Sequence, residues 1–306
     1  MELLSSRHPF VVRRPLGKDE SLEGAARDLL PTRLHDAGAV LFRGFAIGSA
    51  AAFDAAVRRV TPELLDYDYA STPRTRRFGR VYTSTEYPAH QRIPLHNEMS
   101  YGAHWPSRLW FYCEQPAEEG GATPLADSRE VYRRLDRSIV SRFEERKVLY
   151  VRNYGTGLDL DWQQAFDTED PKNVEVYCRQ ESIAFEWKAD GVLKTWQVCQ
   201  ATVDHPVSRA RAWFNQAHLF HVSALEPEIR DVLLEVVAEK DLPRNAYYGD
   251  GSPIEGGALE EIRGVYEELR VEFAWLAGDV LLLDNVLVAH GRSPFRGSRS
   301  VLVAMA

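Results

Sequence analysis

The most restrictive feature of this sequence is its C-terminal third, where short apolar runs alternate with turn residues. Val271–Leu276, a Gly278-Asp279 turn, Val280–Leu283, Val286–Ala289 and Arg299–Ala304 follow one another. Runs this short, broken this often, predict strands of an antiparallel sheet system rather than helices. Leu109–Cys113, rich in aromatics and closed off at Pro116, and Leu193–Val203, mixing Thr, Val and Trp, add strands further upstream. Between them lie three apolar stripes at helical spacing. These are Val131, Leu135, Ile139 and Phe143; then Ile229, Val232, Leu233, Val236 and Val237 behind a Ser223/Glu226 capping-box pattern; then Leu259, Ile262, Tyr266 and Leu269. Each stripe predicts a helix covering a sheet face. Strands early and late with helices between them require distant parts of the chain to pair in one core, which a jelly-roll with helical insertions satisfies. A length of 306 residues could hold two domains at ~150 residues each. No repeat, low-complexity tract or long linker divides it, so one domain over 1–306 is expected, with helical insertions at about 127–270.

Composition narrows the function classes. Charged residues make up 27% and hydrophobic residues 44%, which excludes wholesale disorder. With 37 Lys and Arg against 45 Asp and Glu, the net charge of −8 argues against nucleic-acid binding. No apolar run approaches the ~20 residues of a membrane span, and Met1–Arg14 lacks the long apolar stretch of a secretory signal. Cys113, Cys178 and Cys199 are too few and too scattered for a disulfide framework. A cytoplasmic protein without a membrane partner is expected.

One segment carries possible chemistry. His96-Asn97-Glu98 puts an imidazole and a carboxylate two residues apart, on one face if the backbone is a strand. The pattern is weak alone: nine His and 45 acidic residues in 306 positions give ~1.3 such pairs by composition. His290 ends an apolar strand-like run before Gly291 and is the best third ligand. Two His and one carboxylate on one face leave three positions open, the arrangement of non-haem Fe(II) oxygenases. His218 and His221 form a rival pair at i, i+3, without an obvious carboxylate, so pocket lining or core is the preferred reading for them. Arg299, nine residues after His290, and Thr123, in Gly120-Gly121-Ala122-Thr123, suit capture of a carboxylate. On the residues alone, a surface strand residue and a turn account for them equally well.

The order of these features changes the balance. His96-Asn97-Glu98, Gly120-Gly121-Ala122-Thr123, His290 and Arg299 resemble, in that sequence, the taurine dioxygenase (TauD/TfdA) family of Fe(II)/2-oxoglutarate oxygenases. His96–Ser128 and Gly278–Ala306 look especially like the SyrP-like amino-acid hydroxylases of nonribosomal peptide pathways. The likeness covers most of the chain and is weakest before about Arg80. It implies a mainly β fold with flanking helices around a double-stranded β-helix (cupin-like) core. It implies that His96, Glu98 and His290 bind Fe(II), that Arg299 and Thr123 hold the distal carboxylate of the co-substrate 2-oxoglutarate, and that O₂ is consumed. Halogenating relatives lack the carboxylate ligand, so Glu98 points to oxygenation. Val303 stands where taurine dioxygenase has an Arg for the sulfonate, so taurine is not the expected substrate.

The resemblance further implies hydroxylation of an amino acid, free or tethered to a peptidyl carrier protein, in specialised-metabolite biosynthesis. Desaturation, epoxidation or cyclisation would use the same cofactors. A silent jelly-roll binding module and a zinc hydrolase are the readings from other classes, and a homo-oligomer remains open. Candidate substrate contacts are Asn97, Arg152, Asn153, Gln216, His218 and Asp250. Asp284 and Asn285, just upstream of His290, are candidates for orienting the imidazoles.

Overall fold

The computed structural model describes residues 10–17, 19–30, 33–67, 69, 74–188 and 191–306. The start of the N-terminal stretch read above for a signal, residues 1–9, lies outside them. In chain order the strands are β1 (Val11–Arg13), β2 (Ala39–Phe42), β3 (Arg76–Phe78), β4 (Val81–Thr83), β5 (Ile93–His96), β6 (Arg108–Gln115), β7 (Glu119–Gly120), β8 (Leu125–Asp127) and β9 (Val148–Tyr154). They continue as β10 (Ala184–Trp187), β11 (Leu193–Cys199), β12 (Thr202–Asp204), β13 (Arg211–Trp213), β14 (Arg244–Tyr248), β15 (Val280–Asp284), β16 (Val288–Arg292), β17 (Phe295–Arg296) and β18 (Ser300–Met305).

The largest sheet runs β1-β2-β15-β6-β18-β4-β3. Its middle is the apolar sequence itself: every residue of β15 is buried, because both sheet faces are covered. Side-chain alternation divides that sheet between two cores. Leu281, Leu283, Phe111, Val301 and Val303 pack inward with Leu125 and Val288 of a second sheet, ordered β5-β16-β8. Val280, Leu282, Trp110, Tyr112 and Leu302 face the other way, onto Leu22, Ala25, Phe53 and Val57 of two N-terminal helices. This is a jelly-roll sandwich with helices on its outer face, as expected.

Residues 127–270 hold strands as well as helices: they contribute β9–β14, including a sheet ordered β10-β11-β9-β14, and the strand expected at Leu193–Val203 is seen as β11, Leu193–Cys199. The alternating burial along Leu193–Cys199 shows why, since one face of β11 packs inward while Trp196 and Val198 face out.

Three local readings also change. Val271–Leu276 makes only an isolated bridge, Leu125 to Val271, and continues without a ladder to a turn at Ala277 and Gly278. The Val131–Phe143 stripe is two helices, Ser128–Arg134 and Arg137–Arg146, separated where Asp136 caps the second through the Ser138 amide. The Ile229 stripe is a helix, Pro227–Val236, but it starts at Glu226 rather than at Ser223. It covers no sheet: Ile229 is 59%, Val232 61% and Val236 76% exposed. Periodicity marks an apolar face and cannot say what lies against it. Among the described residues, no helix is long and apolar enough to cross a membrane.

Candidate active site

β16 pairs antiparallel with β5, and the register sets His290 directly opposite His96. Sheet pairing therefore joins two residues almost two hundred positions apart in sequence. Their ring centroids are 4.6 Å apart. Glu98 joins them from a turn rather than from the strand, because β5 ends at His96. One ligand atom from each of His96, Glu98 and His290 lies within 4.8 Å of the others, and His290 Nε2 is 3.8 Å from Glu98 Oε2.

The ring nitrogens suit a metal. His96 Nδ1 lies 2.8 Å from the Pro94 carbonyl, an acceptor, so Nδ1 carries the proton and the Nε2 lone pair is available. His290 Nδ1 is buried without a hydrogen-bond partner. Burial holds the pKa of His96 below the ordinary imidazole value despite the opposing pull of Glu98. Burial, then the neighbouring His96 and Arg74, push His290 well below it. Both rings are thus neutral near pH 7, the form that ligates. The donor set and its protonation fit a divalent ion.

Beside these groups lies a pocket lined by Arg74, Phe111, Thr123 and Arg299 together with the two imidazoles. Arg299 donates from Nε to the Gly121 carbonyl at 2.9 Å and from Nη1 to Ser84 Oγ at 3.4 Å, and it has no carboxylate partner among the described residues. Burial, then nearby Arg292, pushes its pKa down to about 10. At neutral pH it remains a cation, without a counter-ion among the described residues. Gly121 makes room for it: a Cβ at Gly121, where φ is +68°, would stand 3.0 Å from Arg299 Cδ. Thr123 Oγ1 accepts from Trp275 Nε1 at 3.0 Å, which leaves the hydroxyl proton free to donate into the pocket.

The six candidate substrate contacts are placed elsewhere; none of them lines this pocket. Asn97 turns into the scaffold, donating to the Asn285 carbonyl at 2.6 Å and to Ser128 Oγ at 3.1 Å. Gln216 donates to the Asn97 carbonyl, and His218 Nε2 contacts the Leu95 carbonyl while its ring stacks on Tyr266. Arg152 is buried against the rings of Tyr154 and Tyr69. Asn153 donates to the Leu242 carbonyl, and Asp250 is exposed in a turn, accepting from Ser252. His218 and His221 enter no metal-competent cluster among the described residues. Asp284 does not orient His290; it accepts from His205 Nε2 at 2.9 Å. Asn285 holds Glu98 rather than an imidazole, accepting from its amide and donating to its carbonyl.

Sequence reasoning missed two groups. Arg74 Nη2 donates to Glu98 Oε2 at 2.7 Å, with both side chains only 4% exposed. Trp275 orients Thr123. Neither carries a sequence signal beyond its residue type.

A second group, His35, His205 and Asp284, also brings its ligand atoms within 4.8 Å. Here the Ser208 amide donates to His205 Nδ1 at 2.9 Å, so the ring proton sits on Nε2 and points at Asp284. Neither nitrogen of His205 has a lone pair to spare for a metal or for a base.

Comparison with known proteins gives the family and the fold. The family profile described as "Taurine catabolism dioxygenase TauD, TfdA family" matches residues 7–305. The dapdiamide synthesis protein DdaC of Enterobacter agglomerans is 43% identical over 272 residues, covering 89% of this chain and 83% of DdaC. A clavaminate synthase-like protein of Arabidopsis thaliana is 36% identical over 287 residues, covering 90% of this chain and 83% of its own. Among solved structures, PvcB from Pseudomonas aeruginosa superposes with a TM-score of 0.58 at 15% identity, covering 98% of this chain and 85% of PvcB. An asparagine oxygenase bound to Fe(II), 3-hydroxyasparagine and succinate gives 0.55 at 14% identity, covering 93% of this chain and 83% of that one. At such identities the structural likeness speaks for the fold.

Proposed function

The chain belongs to the TauD/TfdA family of dioxygenases, and from that premise we propose that it hydroxylates an unactivated C–H bond of an amino acid, with His96, Glu98 and His290 as its Fe(II) ligands. It is an Fe(II)/2-oxoglutarate-dependent dioxygenase. When bound, that cofactor set supplies oxidative decarboxylation of 2-oxoglutarate to succinate and CO₂, coupled to oxygen insertion. The residues of the chain bind, orient and enclose. His96 presents Nε2 because the Pro94 carbonyl holds its other nitrogen. Arg299 pairs with the distal carboxylate of 2-oxoglutarate, and Thr123, held by Trp275, donates its hydroxyl to the same group. The observation that carries the reading is the pairing of His290 with His96 in register, beside a half-buried arginine with no carboxylate partner among the described residues.

The substrate is an amino acid, free or carried as a thioester on a carrier protein, in a specialised-metabolite pathway. Support comes from a relative named for dapdiamide synthesis and a structural neighbour holding a hydroxylated asparagine. The test is succinate release from 2-oxoglutarate with Fe(II), using a panel of free and carrier-bound amino acids. We expect succinate together with a product heavier by one oxygen, and Glu98→Ala at background. A product lighter by two hydrogens would mean desaturation or cyclisation. No turnover and no bound iron would leave a binding module.

A further inference from the structure

We propose that Asn285 and Asn97 form a reciprocal clamp that positions the metal-ligand turn, and that Asn285 is the positioning residue for Glu98. The proposal rests on the metal reading above. Glu98 lies beyond the last residue of β5, so no sheet ladder holds its peptide groups. The next residue, Met99, has φ +55°, a left-handed conformation that a side chain adopts only when its surroundings impose it. The turn is thus held from outside. Asn285 Oδ1 accepts from the Glu98 amide at 2.7 Å, and Asn285 Nδ2 donates to the Glu98 carbonyl at 2.9 Å and to the Pro106 carbonyl at 2.8 Å.

The second half of the clamp runs the other way. Asn97 Nδ2 donates to the Asn285 carbonyl at 2.6 Å, while the Asn97 carbonyl accepts from Gln216 Nε2 and Ser100 Oγ. Both asparagines are fully buried. Asn285 also sits in the turn between β15 and β16, five residues before His290. Asp284 stiffens that turn by accepting from the Val286 and Leu287 amides. The two turns that deliver the carboxylate and the distal imidazole are therefore bonded to each other by side chain and main chain in both directions. An amide is needed at Asn285, because its oxygen meets an N–H while its nitrogen meets two carbonyls. A carboxylate would put oxygen against oxygen, and alanine would leave a buried N–H and C=O unpaired.

The test uses metal-free full-length chain titrated with Co(II) by calorimetry, with the visible Co(II) spectrum as a geometric readout. Wild type should bind one equivalent. Asn285→Ala and Asn285→Asp should each weaken Co(II) binding by about 10- to 100-fold, the usual scale for groups that orient metal ligands, and shift the spectrum. Asn97→Ala keeps both Asn285 bonds to Glu98 and should weaken binding less; it decides the matter if the Asn285 variants do not fold. Asn245→Ala, a buried asparagine that accepts from the Val222 and Ala246 amides, should melt earlier yet bind Co(II) as wild type does. Asn285 and Asn97 variants that bind Co(II) with unchanged affinity and spectrum would overturn the clamp alone. A wild-type chain that binds no Co(II) would overturn the metal reading itself.

Discussion

Two clusters in this molecule have the same composition, two histidines and a carboxylate, and both draw on one strand-turn-strand segment that passes from the large sheet to the small one. His290 lies in β16, and Asp284 ends β15 just before it. In each, the ligand atoms gather within 4.8 Å. They differ in what holds the far nitrogen of one ring. His96 Nδ1 faces a carbonyl, so its inner nitrogen is bare. His205 Nδ1 faces an amide N–H, so its inner nitrogen is protonated and spends that proton on Asp284. Residue type and proximity do not make a metal site; the tautomer does, and a backbone group one step away sets it.

The contrast breaks most visibly on metal stoichiometry. Co(II) titration should give one equivalent per chain, with His290→Ala binding none and His205→Ala still binding one. A second equivalent that disappears in His205→Ala would show that the tautomer argument fails.

The carboxylates differ as well. Asp284 accepts from two backbone amides and from His205, whereas Glu98 is paired with the buried guanidinium of Arg74. Removing one partner of a buried pair costs about 3–5 kcal/mol. Arg74→Gln should destabilise the metal-free protein by roughly that amount. At one fixed Mn(II) concentration c each form gains RT ln(1 + c/Kd), ~2.7 kcal/mol where c is about 100 times its Kd. Because Arg74 no longer competes with the ion for Glu98, Arg74→Gln should bind Mn(II) more tightly than wild type, and its deficit should narrow when the ion is present. Denaturant melts with and without Mn(II) measure both. An equal deficit in the two conditions would mean that Arg74 supports something other than Glu98.

These differences mark how far the sequence could be read. That His96, Glu98 and His290 come together was legible because ligand chemistry resides in residue type and because their order matches a family. The strand runs at Val280–Leu283 and Arg299–Ala304 were legible because a fully buried strand has to be apolar. Asn97 was misread as a substrate contact, since nothing in the chain announces that Asn285, nearly two hundred residues on, offers it a carbonyl. Arg74 was invisible for the same reason: an ion pair across the fold leaves no local pattern. The helix Pro227–Val236 shows the converse, a strong apolar stripe that stays largely exposed. Local chemistry is written in the sequence, whereas partners assigned by topology are not.

The smallest effect concerns His35, the outer member of the second cluster. Burial lowers its pKa, outweighing the pull of Asp284, with His205 and Arg108 adding to the depression. In the unfolded chain the ring titrates near its ordinary value of about 6.5. Between that value and the lower folded one, the unfolded state holds more protons than the native state, so stability rises with pH across the window. The contribution of His35 is present above about pH 6.5 and is lost as the solution is acidified toward the folded value. Replacing it with a group that does not titrate, His35→Gln, should flatten the fall in stability between pH 7 and pH 5 while leaving Co(II) stoichiometry untouched. Denaturant melts across that range compare the two slopes. Identical slopes would mean that His35 takes up its proton as readily in the fold as out of it, and that the second cluster is less sealed from water than the first.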